Sequence, residues 1–240
     1  AKELFNNIYL QNQVLENLTE IMLLKGYTGI DIDFEYIYPE DKQAFTDFIA
    51  NTAEKMHRHG FSVNVDLAPK TSSEQKGLLY EGHDYKAIGE IADTVLLMTY
   101  EWGYAYGPPM AVAPLPQVEK VVSYAVSQIT PEKIYMGIPN YGYDWHLPYV
   151  QGTRAYSVGN QEALQLAAAN NAVIQYDNES QSPFFEYIDQ AGDHVVWFED
   201  IRSIQAKYGL IDKYSLRGSG YWNLRRPFTQ GVIYPSYQYN

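Results

Sequence analysis

The chain has 240 residues, enough for one large domain or two small ones, and at 46% apolar against 19% charged it can bury a sizeable core. Its 29 acidic and 17 basic residues leave a net charge of −12, which argues against nucleic acid or anionic membrane as partners. Cysteine is absent, so disulfides, thiolate zinc sites and thiol catalysis are excluded together. The apolar runs, such as Val95-Leu96-Leu97-Met98, are far short of the about 20 residues a transmembrane helix needs.

In chain order, Asn12 to Lys25 reads as a helix, with Val14, Leu15, Leu18, Ile21, Met22 and Leu24 at helical spacing and Gly26 as its stop. Thr28 to Glu35 reads as a strand, because Ile30, Ile32 and Phe34 alternate with Asp31, Asp33 and Glu35. Pro39-Glu40-Asp41 opens a helix that ends at His59-Gly60, and Phe61 to Leu67 is the next strand. Asp84 to Ala92 is helical, Thr94 to Tyr100 a strand, Glu101 to Pro114 a loop rich in proline and glycine, Leu115 to Gln128 a helix and Lys133 to Pro139 a strand. From Trp145 the rhythm changes to a helix at Gln161 to Ala169 and strands near Val173–Tyr176, Phe184–Ile188 and His194–Trp197. Phe198 to Tyr208 returns to helix, Ser215 to Trp222 is a final strand, and a tyrosine-rich tail follows. Strands near residues 30, 63, 96, 136 and 219, separated mostly by helices, point to a parallel sheet with crossover helices. The expected organisation is a parallel strand–helix portion over residues 1–144, a small α+β insertion over 145–197, and the last helix, strand and tail over 198–240.

The chemistry concentrates in Gly29-Ile30-Asp31-Ile32-Asp33-Phe34-Glu35. Alternate side chains of a strand share a face, so Asp31, Asp33 and Glu35 project together, roughly 7 Å apart from one to the next. Carboxylates this close repel, and at least one of them is expected to hold a proton near neutrality. A general acid–base site, a hard-cation site and a structural network all remain compatible with the residues alone. The 23 tyrosines are numerous enough that, although most serve packing, some suit the apolar faces and hydroxyl rims of sugar rings. The five histidines, His57, His59, His83, His146 and His194, show no ligand spacing and read as structural or surface residues.

Gly29-Ile30-Asp31-Ile32-Asp33-Phe34-Glu35 resembles the DGxDxDxE signature of the family 18 glycoside hydrolases, the chitinase-like family, with Thr28 in place of its first Asp. Three further segments match in order. Met98-Thr99-Tyr100-Glu101 resembles the sixth-strand MxYD, with Glu101 for Asp. Gly137-Ile138-Pro139-Asn140-Tyr141-Gly142-Tyr143 resembles the seventh-strand GxPxYGR, with Tyr143 for Arg. Gly218-Ser219-Gly220-Tyr221-Trp222 resembles the eighth-strand segment that ends in a subsite Trp. The variants look most like the bacterial cell-wall and spore-cortex N-acetylglucosaminidase branch.

The resemblance implies an α/β fold of the (β/α)8 TIM-barrel type with its site at the C-terminal strand ends. The match starts at the family's fourth strand, so the first three strand–helix units are expected to be missing from this piece, which would then be unstable alone or completed by a partner copy. The implied activity is retaining hydrolysis of β-1,4-linked N-acetylglucosamine polymers, peptidoglycan or chitin, assisted by the substrate's own 2-acetamido group. A glycan-binding, non-catalytic member of the same fold is the alternative. The resemblance makes Glu35 the acid and base, Asp33 the partner of the acetamido N–H, Asp31 its modulator and Tyr100 the donor to the acetamido oxygen. It puts Glu101, Trp222, Met98, Asn140, Tyr141 and Trp102 on the sugar side. No metal and no cofactor is expected. The partner is a polysaccharide rather than nucleic acid or membrane, LysM repeats are expected to accompany the domain in the full-length protein, and the location is secreted, at the cell wall or spore.

Overall fold

The computed structural model describes residues 1–239. The chain divides into two compact units. The first comprises Ala1–Met98, Val121–Met136 and Tyr214–Gly218, and the second Thr99–Lys120, Gly137–Lys213 and Ser219–Asn240.

In the first unit, a short helix α1 (Lys2–Phe5) leads into α2 (Ile8–Lys25). The longer helix starts one turn before the expected Asn12 because the Asn7 side chain accepts the backbone N–H groups of Tyr9 and Leu10, both at 3.1 Å. Gly26, at φ 72°, closes it in the left-handed conformation that glycine adopts without strain. Strands β1 (Gly29–Ile32), β2 (Ser62–Leu67) and β3 (Thr94–Leu97) pair in parallel, and the first half of β4 (Ile134–Pro139) pairs with β3. The crossovers are α3 (Lys42–His57), α4 (Tyr85–Ile91) and α5 (Leu115–Val126), of which the last begins in the second unit. The apolar face of α3 buries Phe45, Phe48, Ile49 and Met56. Phe5, Phe34, Phe45 and Phe48 form an aromatic cluster with ring centroids 5.1–6.1 Å apart, which seats the back of β1 and the residues after it.

Strand β1 stops at Ile32 rather than at the expected Glu35. Its ladder with β2 ends at Ile32↔Val65, and Tyr36 turns the chain through the left-handed region at φ 55°. Asp33, Phe34 and Glu35 therefore lie on the segment just past the C-terminal end of the strand.

The second unit is built on an antiparallel sheet of order β6-β5-β9-β8-β7, comprising β5 (Gly142–Leu147), β6 (Tyr156–Val158), β7 (Gln175–Asp177), β8 (Ser182–Asp189) and β9 (Gly192–Trp197), with α6 (Asn160–Ala169) between β6 and β7. Strands β5 and β6 have no counterpart in the expected elements. The reason is visible at Asp144 in the middle of β5, which is buried yet satisfied by the Tyr187 hydroxyl at 2.7 Å and His194 Nδ1 at 2.9 Å, partners supplied by β8 and β9. The loop Glu101–Pro114 and the segment Gly137–Tyr141 belong to this unit, so it reaches well outside the expected 145–197 insertion and crosses the expected boundaries at 144 and 197. Ala155 N–H donates to the Ala105 carbonyl at 2.7 Å, Trp145 Nε1 to that of Gly107 at 2.9 Å and Leu115 N–H to that of Ser180 at 2.9 Å.

Helix α7 (Ile201–Tyr214) begins later and runs longer than expected, because Asp200 caps it by accepting the backbone N–H groups of Arg202 and Ser203. Strand β10 (Gly218–Trp222) follows β4 in the parallel order β1-β2-β3-β4-β10, as five alternating strand–helix units require. In the tyrosine-rich tail, α8 (Thr229–Gln238) forms despite an internal Pro235.

Gly142 opens β5 where a Cβ would overlap the Trp197 carbonyl oxygen and lie 2.8 Å from Phe198 Cα. Overpacking of this kind costs about 1–3 kcal/mol, which for a chain of this size lowers Tm by roughly 2–12 °C. Thermal unfolding of Gly142→Ala followed by circular dichroism checks this, and an unchanged Tm would mean that β5 does not lie this close to β9.

Candidate active site

The acidic group of the first unit is assembled at the C-terminal ends of β1 and β2. Asp31 on β1 stands directly opposite Asn64 on β2. The Asn64 amide donates to Asp31 Oδ1 at 2.6 Å and to Asp66 Oδ1 at 3.2 Å, and its carbonyl oxygen accepts the Thr94 hydroxyl at 2.8 Å. One amide thus bridges two carboxyl groups while the next strand fixes its orientation.

Asp66 is buried, and its carboxyl is pushed up to about 8, first by burial, then by the charges of Asp31 and Asp33 and a hydrogen bond shared with Asp31. Asp33 is also raised, by partial burial of its carboxyl and then by Asp31. The two effects agree in sign, because each added negative charge makes the next ionisation harder. A carboxyl that holds its proton is what the alternation of the first strand predicts, but the large rise is at Asp66, a residue the sequence reading did not single out. The signal was present in Ser62, Asn64 and Asp66 alternating with Val63, Val65 and Leu67, which places three polar residues on one face of a strand otherwise built for a core. Glu35 lies on the exposed segment after β1, as Asp33 does.

Met98, the last residue of the first unit, is buried and donates its backbone N–H to the Leu67 carbonyl at 3.0 Å, extending the β2–β3 ladder by one residue.

The other expected site residues belong to the second unit. Tyr100 is half-buried and packs against the cluster of Val112, Tyr141, Tyr143, Trp145 and Val195. Glu101 is exposed and adopts φ 69°, an uncommon conformation for a non-glycine residue that recurs at functional sites. Its Oε1 accepts the hydroxyls of both Tyr141 at 2.5 Å and Tyr143 at 2.9 Å. Burial first, and then the Glu101 charge, hold both phenols far above the ordinary tyrosine range, so they remain donors at any working pH. Glu101 and Tyr143 are two of the positions where the chain departs from the family pattern, and they bond to each other. Trp102 is half-buried, and its backbone N–H is held by the Val112 carbonyl at 3.0 Å.

Asn140 is buried, and its amide donates to the carbonyls of Asn223 and Arg226, both at 2.8 Å, while its backbone N–H donates to that of Trp222 at 2.6 Å. Its side-chain donors are therefore spent on holding the loop after β10. Trp222, at the end of β10, is 52% exposed, far more than a core tryptophan, and its peptide bond to Asn223 is cis.

Among the described residues no group of three or more His, Cys, Asp or Glu is arranged to hold a metal ion. His83 is buried, with its pKa pushed down to about 4 by that burial, and His57 pairs with Asp93 at 2.8 Å.

Comparison with known proteins defines the class. The model of the Glycosyl hydrolases family 18 matches residues 3–226, nearly the whole chain. The chain belongs to that family. It is 46% identical over 239 residues to the cortical fragment-lytic enzyme of Bacillus subtilis (strain 168), covering 99% of this chain and 56% of that relative. The crystal structure of the spore cortex-lytic enzyme SleL of Bacillus megaterium QM B1551 superposes with a TM-score of 0.92 at 46% identity, over 97% of this chain and 54% of that one. A chitinase from Chromobacterium violaceum ATCC 12472 gives a TM-score of 0.89 at 27% identity, over 97% of this chain and 72% of that one. The chain spans about half the length of the curated relatives it matches most strongly. These likenesses agree with a parallel strand–helix arrangement of the (β/α)8 type, present here in part.

The raised Asp66 pKa has a defined sign in stability. Folded, Asp66 keeps its proton to about pH 8, whereas its ordinary value is 3.8. Between those values the folded state binds the extra proton, so this contribution to stability falls as pH rises toward 8 and is level above it. Asp66→Asn is expected to gain Tm relative to the wild type as pH is raised from 5 to 9. A Tm difference that stays constant across that range would show that Asp66 ionises like an ordinary carboxylate.

Proposed function

We propose that this chain carries the acid–base carboxylates of a retaining hydrolase of β-1,4-linked N-acetylglucosamine polymers, with spore-cortex peptidoglycan ahead of chitin as substrate. The observation that carries it is the hydrogen-bonded acidic group of Asp31, Asn64 and Asp66 beside Asp33, with Glu35 on the exposed segment that follows. Family membership and the names of the Bacillus relatives support the choice of glycan.

The chemistry follows from the substrate. The 2-acetamido oxygen attacks the anomeric carbon as the C1–O bond to the leaving sugar breaks, giving an oxazolinium ion. Glu35 protonates the departing oxygen and then takes a proton from the water that opens the ring, so the acid is restored and configuration is retained. Asp33 accepts the acetamido N–H and stabilises the positive charge that develops there. Asp31, tied through Asn64 to the protonated Asp66, sets how much negative charge Asp33 carries.

By the family resemblance, Tyr100 orients the acetamido oxygen, Trp222 forms an apolar floor for the sugar, and Glu101, Tyr141 and Trp102 serve the sugar side. Asn140 and Met98 serve it through the segments they hold. Five parallel strands are three fewer than a closed (β/α)8 barrel uses. The half-length match to the relatives supports the reading that further strand–helix units accompany this portion in the working protein, and the family resemblance adds LysM-type repeats to it. Its place of action on this reading is outside the cell, at the wall or spore cortex.

The test is digestion of cortex peptidoglycan and of chitin oligomers by the full-length protein and its Glu35→Gln variant, read by mass spectrometry. Loss of the general acid is expected to slow cleavage about 100- to 10,000-fold, with saccharide binding retained. Equal rates would overturn the proposal. Calorimetric binding without cleavage by the wild type would make the chain a glycan-binding member of the fold.

A further inference from the structure

The net charge of −12 repels an anionic glycan, yet one part of the second unit is the opposite of the whole. Eight of the 17 lysines and arginines are neutralised locally. Lys2, Lys42, Lys55, Arg58, Lys76, Arg202, Lys207 and Lys213 all pair with carboxylates. Arg217 is held by the Tyr135 hydroxyl at 2.8 Å and lies over that ring. The remaining three arginines, Arg154, Arg225 and Arg226, have no carboxylate partner among the described residues, and all lie in the second unit.

Arg226 is fixed at both ends. Its carbonyl accepts the Asn140 amide, and its guanidinium donates from Nη1 to Ser157 Oγ at 3.1 Å and from Nη2 to the Ser157 carbonyl at 2.9 Å. These acceptors are neutral, so the charge is positioned without being cancelled. Ser157 on β6 pairs with Tyr143 on β5, so its hydrogen bonds set Arg226 beside Tyr143 and the Glu101 that Tyr143 bonds, and Arg154 is exposed on the loop just before the same strand β6. The segment that Asn140 grips also carries the exposed Trp222 and Leu224, so the apolar ring and the fixed guanidinium sit on one braced loop. One guanidinium fixed on the loop that bears an exposed aromatic ring, and a second on the loop before the strand that fixes it, suit a sugar bearing a carboxylate.

We propose that Arg226 and Arg154 form a subsite that reads a carboxylate carried by the glycan, a lactyl or peptide carboxylate of peptidoglycan, and so select it over the neutral N-acetylglucosamine polymer. The inference deepens the proposed hydrolase reading and rests on it for the identity of the glycan. It assigns to two arginines a selectivity that the acidic cluster of the first unit cannot supply.

The experiment compares tetrasaccharide muropeptides, the same fragments with their carboxylates amidated by carbodiimide, and fragments stripped of peptide so that only lactyl carboxylates remain. The full-length wild type, Arg154→Gln, Arg226→Gln, Arg226→Lys and the double Gln variant are assayed for kcat and KM, with thermal unfolding as a check on folding. Amidation is expected to raise the wild-type KM about tenfold, the scale of one charge-assisted hydrogen bond, with little change in kcat. The double Gln variant is expected to treat native and amidated fragments alike, while Arg226→Lys keeps most of the preference. The peptide-free fragments tell which carboxylate is read. Should Arg226→Gln unfold, Arg154→Gln carries the test, since that exposed side chain holds nothing else together.

Equal KM for native and amidated fragments in the wild type would overturn the subsite, as would losses in the variants that are the same on both. Should the wild type cleave nothing, the hydrolase reading fails on its own, and calorimetric binding of the same fragments decides the subsite by the same ratio.

Discussion

A buried carboxyl group that is denied its charge organises the acidic end of the first unit. Asp66 lies in a strand whose other face is core, and its surroundings already hold Asp31 and Asp33. Ionising it there would set a third negative charge beside two others in a poorly solvated place, so the proton stays. Much else follows from keeping it. Asn64 is required to bridge Asp31 and Asp66, Thr94 to orient Asn64, and the β1–β2–β3 register to bring the three together. The Phe5, Phe34, Phe45 and Phe48 cluster then anchors the segment on which Asp33 and Glu35 ride, so that end of the strand is packed from behind.

The second unit solves a different problem with the same economy of partners. Its exposed Glu101 adopts a left-handed backbone conformation and accepts two phenols that do not ionise, so a carboxylate is presented at a fixed place. Taken singly, Glu101 for Asp and Tyr143 for Arg are departures from the family pattern. Taken together, they make one hydrogen bond. Asn140 likewise braces the loop that bears Trp222 and Arg226, because its amide protons are committed to backbone carbonyls.

The five parallel strands and the helices between them were legible because each has a simple period: alternate apolar positions in the strands, and a repeating apolar face on the helices. Asp31, Asp33 and Glu35 were legible for the same reason. Asp66 was not, since a lone acidic residue in an apolar strand carries no meaning until the neighbouring strand sets Asp31 across from Asn64. Strand β5 was hidden because its polar residue, Asp144, is neutralised by Tyr187 and His194 from strands far along the chain. Helix α8 was hidden by the proline and the tyrosines of the tail.

The sequence alone determined the class of the protein, the parallel strand–helix rhythm and the identity of the acidic strand, because those depend on residue type and local spacing. Only the tertiary structure decided which carboxyl keeps a proton, which family departures compensate one another, and which side chains hold the loops. Each of those depends on partners that are distant in the chain, and their desolvation and hydrogen bonding exist only once the strands are in register.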